Sequence, residues 1–258
     1  MCKAIKTYLI LFLSVAIFVA AGYSTYRAVH SSLFLIRGVE ISVPEVSKVP
    51  VGVQTIQQLA AIPVGVANLF ELDLKEVEKR ILKNPWIREV RLYKRLPQTL
   101  AISVIFREPC AVLQMPKGTL AYVDSDGTVF GGLNLVFNSD LPVFLGFGEA
   151  SDSARMMDAL RFLQTWMQAR VSTVPTQVSS ISWDSDHGFR VLVTYPLYHE
   201  KKTARAIIEW GQKIGDSSGD ALRNLSEVFR YLAQNSMDAS RILMWGAKKI
   251  VVKTARGS

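Results

Sequence analysis

The sequence predicts an α+β protein carried on one N-terminal transmembrane helix, and three observations predict it. Twenty uncharged residues, Thr7 to Tyr26, lie close to the start of the chain. Strand and helix periodicities then alternate through the remainder. Their order changes near Arg107-Glu108-Pro109, so a strand-helix-helix-strand-strand unit gives way to a strand-rich unit with two helices. The expected bounds are a cytoplasmic tail over 1–6, a membrane helix over 7–29, a first domain over 34–108 and a second over 109–253.

The uncharged run is preceded by Lys3 and Lys6 and ended by Arg27. A helix needs about 20 apolar residues to cross a bilayer, and this run has that length. Tyr8, Tyr23 and Tyr26 stand near its ends, where amphipathic rings suit the headgroup layer. Two lysines before the run against one arginine just after it favour the N-terminus inside. A cleaved signal peptide is the competing reading, with small residues at Val19 and Ala21 for a cleavage site. The run continues past Ala21, which favours an uncleaved anchor. Both readings place the remainder outside the cytoplasm.

The formal net charge is +8, with 49% of residues apolar. Such a chain can bury a core and is not a disordered polymer. Its Lys and Arg residues are scattered, with no dense basic run and no nucleic-acid motif, so no nucleic-acid partner is expected. The two cysteines, Cys2 and Cys110, flank the apolar run. If that run spans a membrane they lie on opposite sides and cannot pair, so the outer part must fold by burial alone.

Within the first domain, Leu35 to Val43 reads as a strand, Pro44 to Pro50 as a loop, and Thr55 to Ala61 as a short helix closed by Pro63 and Gly65. Asp73 reads as an N-cap with Glu76 three residues on. Leu74, Val77 and Ile81 follow at helical spacing, and Asn84-Pro85 ends that helix. Two alternating runs complete the unit. Val90 and Leu92 face one way and Arg91, Tyr93 and Arg95 the other, then Leu100, Ile102, Val104 and Phe106 share a face.

In the second domain, Leu120 to Val123 and Thr128 to Phe130 flank the turn Asp124 to Gly127. Met156, Leu160, Leu163 and Met167 mark one helix, and Leu222, Leu225, Phe229 and Leu232 another. Strands are expected at Ile181 to Trp183, Phe189 to Tyr195, Ala204 to Trp210, Arg241 to Trp245 and Lys249 to Lys253. The expected result is a mostly antiparallel sheet covered on one face.

The stretch Lys83 to Leu113, KNPWIREVRLYKRLPQTLAISVIFREPCAVL, resembles the end of the polypeptide-transport-associated (POTRA) domain of the FtsQ/DivIB cell-division proteins. The elements that carry the resemblance are Pro85-Trp86 before a basic strand, the Arg95-Leu96-Pro97 turn, the apolar strand, and Glu108-Pro109 followed by Cys110-Ala111. YVDSDGTVF at Tyr122 to Phe130 and LPVFLGFG at Leu141 to Gly148 follow in the same order. The C-terminal third matches loosely: where the family often has an acidic-apolar-Arg strand, this chain has Arg241 to Trp245.

The resemblance implies a bitopic scaffold in the inner membrane at the division site, with its body in the periplasm and no catalysis or cofactor. It implies docking of small coiled-coil partners of the FtsB and FtsL families through the C-terminal domain, and POTRA contacts with other divisome membrane proteins. Ile250, Val251 and Val252 form a β-branched run expected at a sheet edge, to which a partner strand could add. The expected docking set is therefore Ile242, Met244, Trp245, Lys249, Ile250, Val251, Val252 and Lys253. Lys248, Lys249 and Lys253 would equally blunt that edge against aggregation.

Two other functions stand beside this one. One is an anchored or secreted envelope enzyme acting on the cell wall, and the other is a POTRA module in outer-membrane protein transport. His30, His187 and His199 have no partners at metal-ligand spacing. Two Asp-Ser-Asp runs, at Asp124 and Asp184, lack the further ligands and closing Glu of a calcium loop and read as turns. No phosphate loop or nucleophile elbow is present.

Overall fold

The computed structural model describes residues 2–44, 49–132, 140–147, 152–168, 174–214, 219–246 and 249–254. The expected loop at Pro44 to Pro50, the end of the LPVFLGFG motif at Gly148, the turn at Ala247, and Lys248 lie wholly or partly outside them. The chain forms two compact units, Met1–Arg107 and Glu108–Ser258.

In the first unit, α1 (Cys2–Val29) contains a stretch, Leu11–Val29, that is long and apolar enough to cross a membrane. Residues 11 to 28 are exposed on every side of this helix, so its apolar side chains are not covered by the rest of the chain. Nineteen residues rise about 28 Å as a helix, close to the thickness of a hydrocarbon core.

A short 3-10 turn, Ser32–Phe34, leads from α1 to β1 (Gly38–Ser42). The strand is shorter than the expected Leu35 to Val43, because Ile36 N–H bonds to the Ala67 carbonyl and Arg37 N–H to the Gln98 carbonyl before the ladder begins. Next come α2 (Val53–Ala60) and α3 (Leu74–Leu82). Asp73 caps α3: its carboxylate accepts from the N–H groups of Lys75 and Glu76. Ala61, at φ 46°, closes α2 in the left-handed conformation. The hairpin β2 (Ile87–Arg95) and β3 (Thr99–Phe106) completes a three-stranded sheet in the order β1-β3-β2, with β1 parallel to β3.

Ile56, Val77, Ile81, Leu100, Ile102 and Val104 are almost wholly buried between sheet and helices. The far face carries exposed Arg91 beside half-buried Glu89, and exposed Tyr93 and Arg95, the latter paired with Glu40. This is the half-wet sheet that the alternation predicts.

The second unit is one nine-stranded sheet among the described residues. Its strands are β4 (Pro109–Gln114), β5 (Leu120–Asp124), β6 (Val129–Phe130), β7 (Val143–Leu145), β8 (Gln177–Asp184), β9 (Gly188–Leu197), β10 (Lys202–Gly211), β11 (Ala239–Trp245) and β12 (Lys249–Thr254). Their order is β12-β11-β10-β9-β8-β7-β4-β5-β6. Five neighbouring pairs are antiparallel; β4–β7, β7–β8 and β10–β11 are parallel.

Parallel neighbours need a crossover. α4 (Ser153–Gln168) lies between β7 and β8 in the chain, and α5 (Gly219–Gln234) between β10 and β11. β7 and β10 point the same way, and each crossover steps toward β12. Right-handed crossovers then put both helices on one face. The rings agree: Trp166 of α4 meets Phe229 of α5 edge-on at 6.3 Å, and Phe162 meets Trp210 of β10 at 5.0 Å.

On that face Phe189, Val191, Val193 and Tyr195 of β9 are buried, while Arg190, Leu192 and Thr194 on the other side are half-buried. The stripe of α4 is rotated from the expected one. Met156, Leu160 and Leu163 are buried, but Met167 is 62% exposed and Trp166 takes the inner position. Ala159, Phe162 and Trp166 offer more apolar area to the sheet than Met167 does, so the helix turns toward them.

Candidate functional site

The residues expected to matter fall at two places. The first is the junction of helix and strand in the βααββ domain. Asn84 accepts the Trp86 N–H on its side-chain oxygen (3.0 Å), and the Trp86 carbonyl accepts from Arg107 N–H (2.8 Å). Trp86 is thereby buried, with Pro85 exposed beside it. Arg95 and Pro97 sit at the exposed β2–β3 turn, and Glu108 is exposed just before Pro109 opens β4. Asn84, Trp86 and Arg107 together fix the junction of α3 and β2.

The second place is the end of the large sheet. β12 pairs with β11 along one side, with Val251 opposite Leu243 and Lys249 opposite Trp245. Among the described residues nothing pairs with its other side. In an antiparallel ladder alternate residues bond to the neighbour, so the remaining N–H and C=O groups of β12 face outward.

The side chains of this hairpin divide by face. Ile242 and Met244 are buried in the core beneath the helices, so the expectation that they meet a partner gives way to a structural role. Ile250 and Val252 pack partly against the same core. Val251, Lys249 and Lys253 are exposed, and Trp245 is 63% exposed with Lys249 Nζ 4.6 Å from its ring. Ser240 Oγ donates to the Lys253 carbonyl (3.1 Å), tying the far end of the hairpin.

A mostly apolar groove of about 350 Å³ runs beside this edge, lined by Glu227, Val228, Tyr231 and Leu232 of α5 with Met237, Val252 and Thr254. Sequence reasoning missed it. Tyr231 falls off the apolar stripe of α5 and is exposed, and an exposed aromatic next to that stripe was the one available signal.

Behind the edge, Tyr195 is fully buried and stacks near Phe229 (5.3 Å). Its hydroxyl donates to the Met237 carbonyl and accepts from Ala239 N–H. Burial pushes its pKa above the ordinary tyrosine value. Both Asp-Ser-Asp runs are turns. Asp124 accepts from the N–H groups of Asp126 and Thr128, and Asp184 from those of Asp186 and His187. The His187 N–H is the main reason the Asp184 carboxyl sits below its usual range. Among the described residues, no three His, Cys, Asp or Glu side chains converge as a metal site would require.

Among the described residues, one N-terminal helix apolar and long enough to cross a membrane, a βααββ domain and a mixed sheet ending in an open strand define a class: a POTRA-bearing protein with an N-terminal candidate membrane helix. A family model described as "POTRA domain, FtsQ-type" matches residues 51–105, and one described as "Cell division protein FtsQ/DivIB, C-terminal" matches residues 111–242. The chain is similar to "Cell division protein FtsQ" of Geotalea daltonii, 33% identical over 217 residues, covering 81% of this chain and 71% of that one. It is similar to the protein of the same description in Geobacter sp. (strain M21), 28% identical over 244 residues, covering 90% and 81%. A third, from Syntrophotalea carbinolica, is 32% identical over 145 residues, covering 54% and 50%. The chain belongs to the FtsQ/DivIB family of cell-division proteins.

Proposed function

We propose that this protein is a non-catalytic scaffold of the division machinery, and that β12 docks a strand from a small bitopic partner of the FtsB or FtsL type. In this reading α1 is an uncleaved anchor in the inner membrane with residues 1–6 in the cytoplasm and the body in the periplasm. The POTRA domain then contacts other divisome membrane proteins.

The observation that carries the docking proposal is the open side of β12 at the end of a nine-stranded sheet. Lys249 and Lys253 flank it and favour an acidic partner segment, while Val251 and Trp245 supply apolar contact. Main-chain pairing gives such a contact its affinity, and the flanking side chains give it selectivity.

Two adjacent proline variants test it, because in an antiparallel ladder one of two successive N–H groups bonds to β11 and the other faces outward. Of Val251→Pro and Val252→Pro, the less destabilising variant should stay folded and membrane-bound yet fail to co-purify with the small bitopic partners. Co-purification at wild-type level after deletion from Arg241 onward would place docking elsewhere. The anchor is tested by alkaline carbonate extraction, which should leave the full-length chain in the membrane pellet; a soluble form starting near Gly22 would make the segment a signal peptide.

A further inference from the structure

Where α1 ends, the first unit exposes a group of apolar side chains that its own core does not use. Val66 is 76% exposed, Leu33 64%, Val64 48% and Phe70 41%. They belong to two segments held side by side. Gly65 N–H bonds to the Ile36 carbonyl, Ile36 N–H to the Ala67 carbonyl, and Leu69 N–H to the Phe34 carbonyl, at 2.8–2.9 Å.

Both segments are fixed to the helix end through buried Asn68. Its side-chain amide donates to the Val29 carbonyl (2.9 Å), and its oxygen accepts from Phe70 N–H (2.9 Å). His30, just past the helix, donates from Nδ1 to the Tyr26 carbonyl (2.8 Å), and its Nε2 lies 3.4 Å from Glu71 Oε1. The apolar group therefore cannot drift from the helix end.

Two residues of extended chain span at most about 7 Å. Val66 and Phe70 are each two residues from Asn68, which touches Val29, the last residue of the apolar stretch. The layer between hydrocarbon and water is roughly 5–8 Å deep on each face of a bilayer. The patch thus sits beside the end of the apolar stretch, where the headgroup layer begins. Tyr23 and Tyr26 are exposed on the last turns of α1, where interfacial rings sit, and Lys94 Nζ, 3.5 Å from the Phe70 carbonyl, is a cation placed beside the patch.

We propose that Leu33, Val64, Val66 and Phe70 form an interfacial foot that inserts into the outer headgroup layer of the membrane crossed by α1. The occupant is lipid, because the patch continues the apolar surface of a helix that itself needs lipid. The foot and the Asn68 tie together hold the POTRA domain at a fixed height and tilt on the bilayer. This rests on the reading of α1 as an uncleaved membrane helix.

The test uses the full-length chain, with Cys2 and Cys110 replaced by serine, in vesicles of phosphatidylethanolamine and phosphatidylglycerol. A nitroxide is placed on a single cysteine at Phe18, Val66 or Val129, and its access to oxygen and to a water-soluble nickel chelate is measured. Phe18 should be open to oxygen and closed to nickel, and Val129, an exposed apolar residue of the other unit, open to nickel. Val66 should be several-fold less open to nickel than Val129. Adding Leu33→Ser and Phe70→Ser should raise nickel access at Val66 by about threefold or more. Val66 matching Val129 while Phe18 stays buried would overturn the foot alone; nickel reaching Phe18 would overturn the anchor. No response to the serine substitutions would show that the label sought the bilayer by itself and overturn the foot. Protection of Val66 in native membranes but not in pure lipid would assign the patch to a protein and equally overturn it.

Discussion

The hydroxyl of Tyr195, in the middle of the sheet, accepts a hydrogen bond from the N–H of Ala239 at 2.8 Å, and so sets where β11 begins. The same hydroxyl donates to the Met237 carbonyl at 2.9 Å. Ala239 lies 44 residues further along the chain and starts the strand that supports the edge strand β12. One buried side chain therefore aligns the whole terminal hairpin.

Tyr195→Phe keeps the ring and its packing against Phe229 but leaves two backbone groups without their partner. Each buried group so orphaned costs about 1–3 kcal/mol. The variant should melt earlier, and amide exchange should rise first in β11 and β12. Burial raises the Tyr195 pKa, so its contribution is complete below the ordinary tyrosine value near 10 and is lost as pH climbs through the higher folded value. The variant should accordingly lose less stability than wild type on titration above pH 10. Parallel losses in both would show that another group controls the alkaline limb.

Cys110 supplies a second alkaline dependence. Burial, helped by the negative charge of Asp124, raises its thiol from 9.0 to about 11, and its Sγ donates to the Val123 carbonyl (3.3 Å). A raised folded pKa means the contribution is whole below pH 9 and falls away as pH rises toward 11. At pH 8 the folded thiol should react with alkylating reagents far more slowly than in the denatured chain. Equal rates in the two states would show that the thiol is open to solvent. Cys110→Ala should flatten the stability curve between pH 9 and 11.

Gly188 is the one residue that fits the β8–β9 turn. It has φ +73°, and a Cβ there would lie 2.3 Å from the Gly211 carbonyl oxygen and 2.4 Å from its carbon. Backbone atoms of the β10 bulge cannot step aside as a side chain would. Gly188→Ala should destabilise the second unit by roughly 3 kcal/mol. A melting temperature within a degree of wild type would show that the bulge can shift.

The parts legible in the sequence were those with a local cause. Asp73 and Glu76 announced the start of α3, the alternation of Leu100 to Phe106 announced β3, and Leu222, Leu225, Phe229 and Leu232 placed α5 correctly. β4 and β7 were not read as strands. β7 has three residues, too few for any periodicity, and it exists because β4 and β8 pair on either side of it. The parallel pairings were hidden too, since a crossover is a tertiary choice that leaves no local mark. At the open edge of the large sheet the strand itself was evident from Ile250 to Val252. Which of its neighbours faced the core was not, and Ile242 and Met244 lie on the buried face of β11 while Trp245, by the alternation of the strand, falls on the exposed one. Met167 failed for a similar reason: helical spacing allowed two stripes on α4, and the larger rings chose between them.

Trp86 belongs to the core of the first unit. It is the large ring at the join of α3 and β2, and it is buried. Asn84 accepts its backbone N–H and its carbonyl accepts from Arg107 N–H, so the backbone on both sides of the ring is fixed. Truncating a buried tryptophan to alanine costs about 3–5 kcal/mol, because the surroundings collapse only in part onto the space left. The three-stranded sheet with its two short helices is small and has little stability in reserve. Trp86→Ala should therefore loosen the whole POTRA domain, seen as fast amide exchange through β2, β3 and α3. The second unit has its own core, built without Trp86, and its exchange should stay slow. Trp86→Phe should recover part of the loss, since it restores ring area without the indole. If Trp86→Ala leaves the melting curve unchanged, the ring does not anchor this domain, and it would then be assigned to the surface as a contact for a partner.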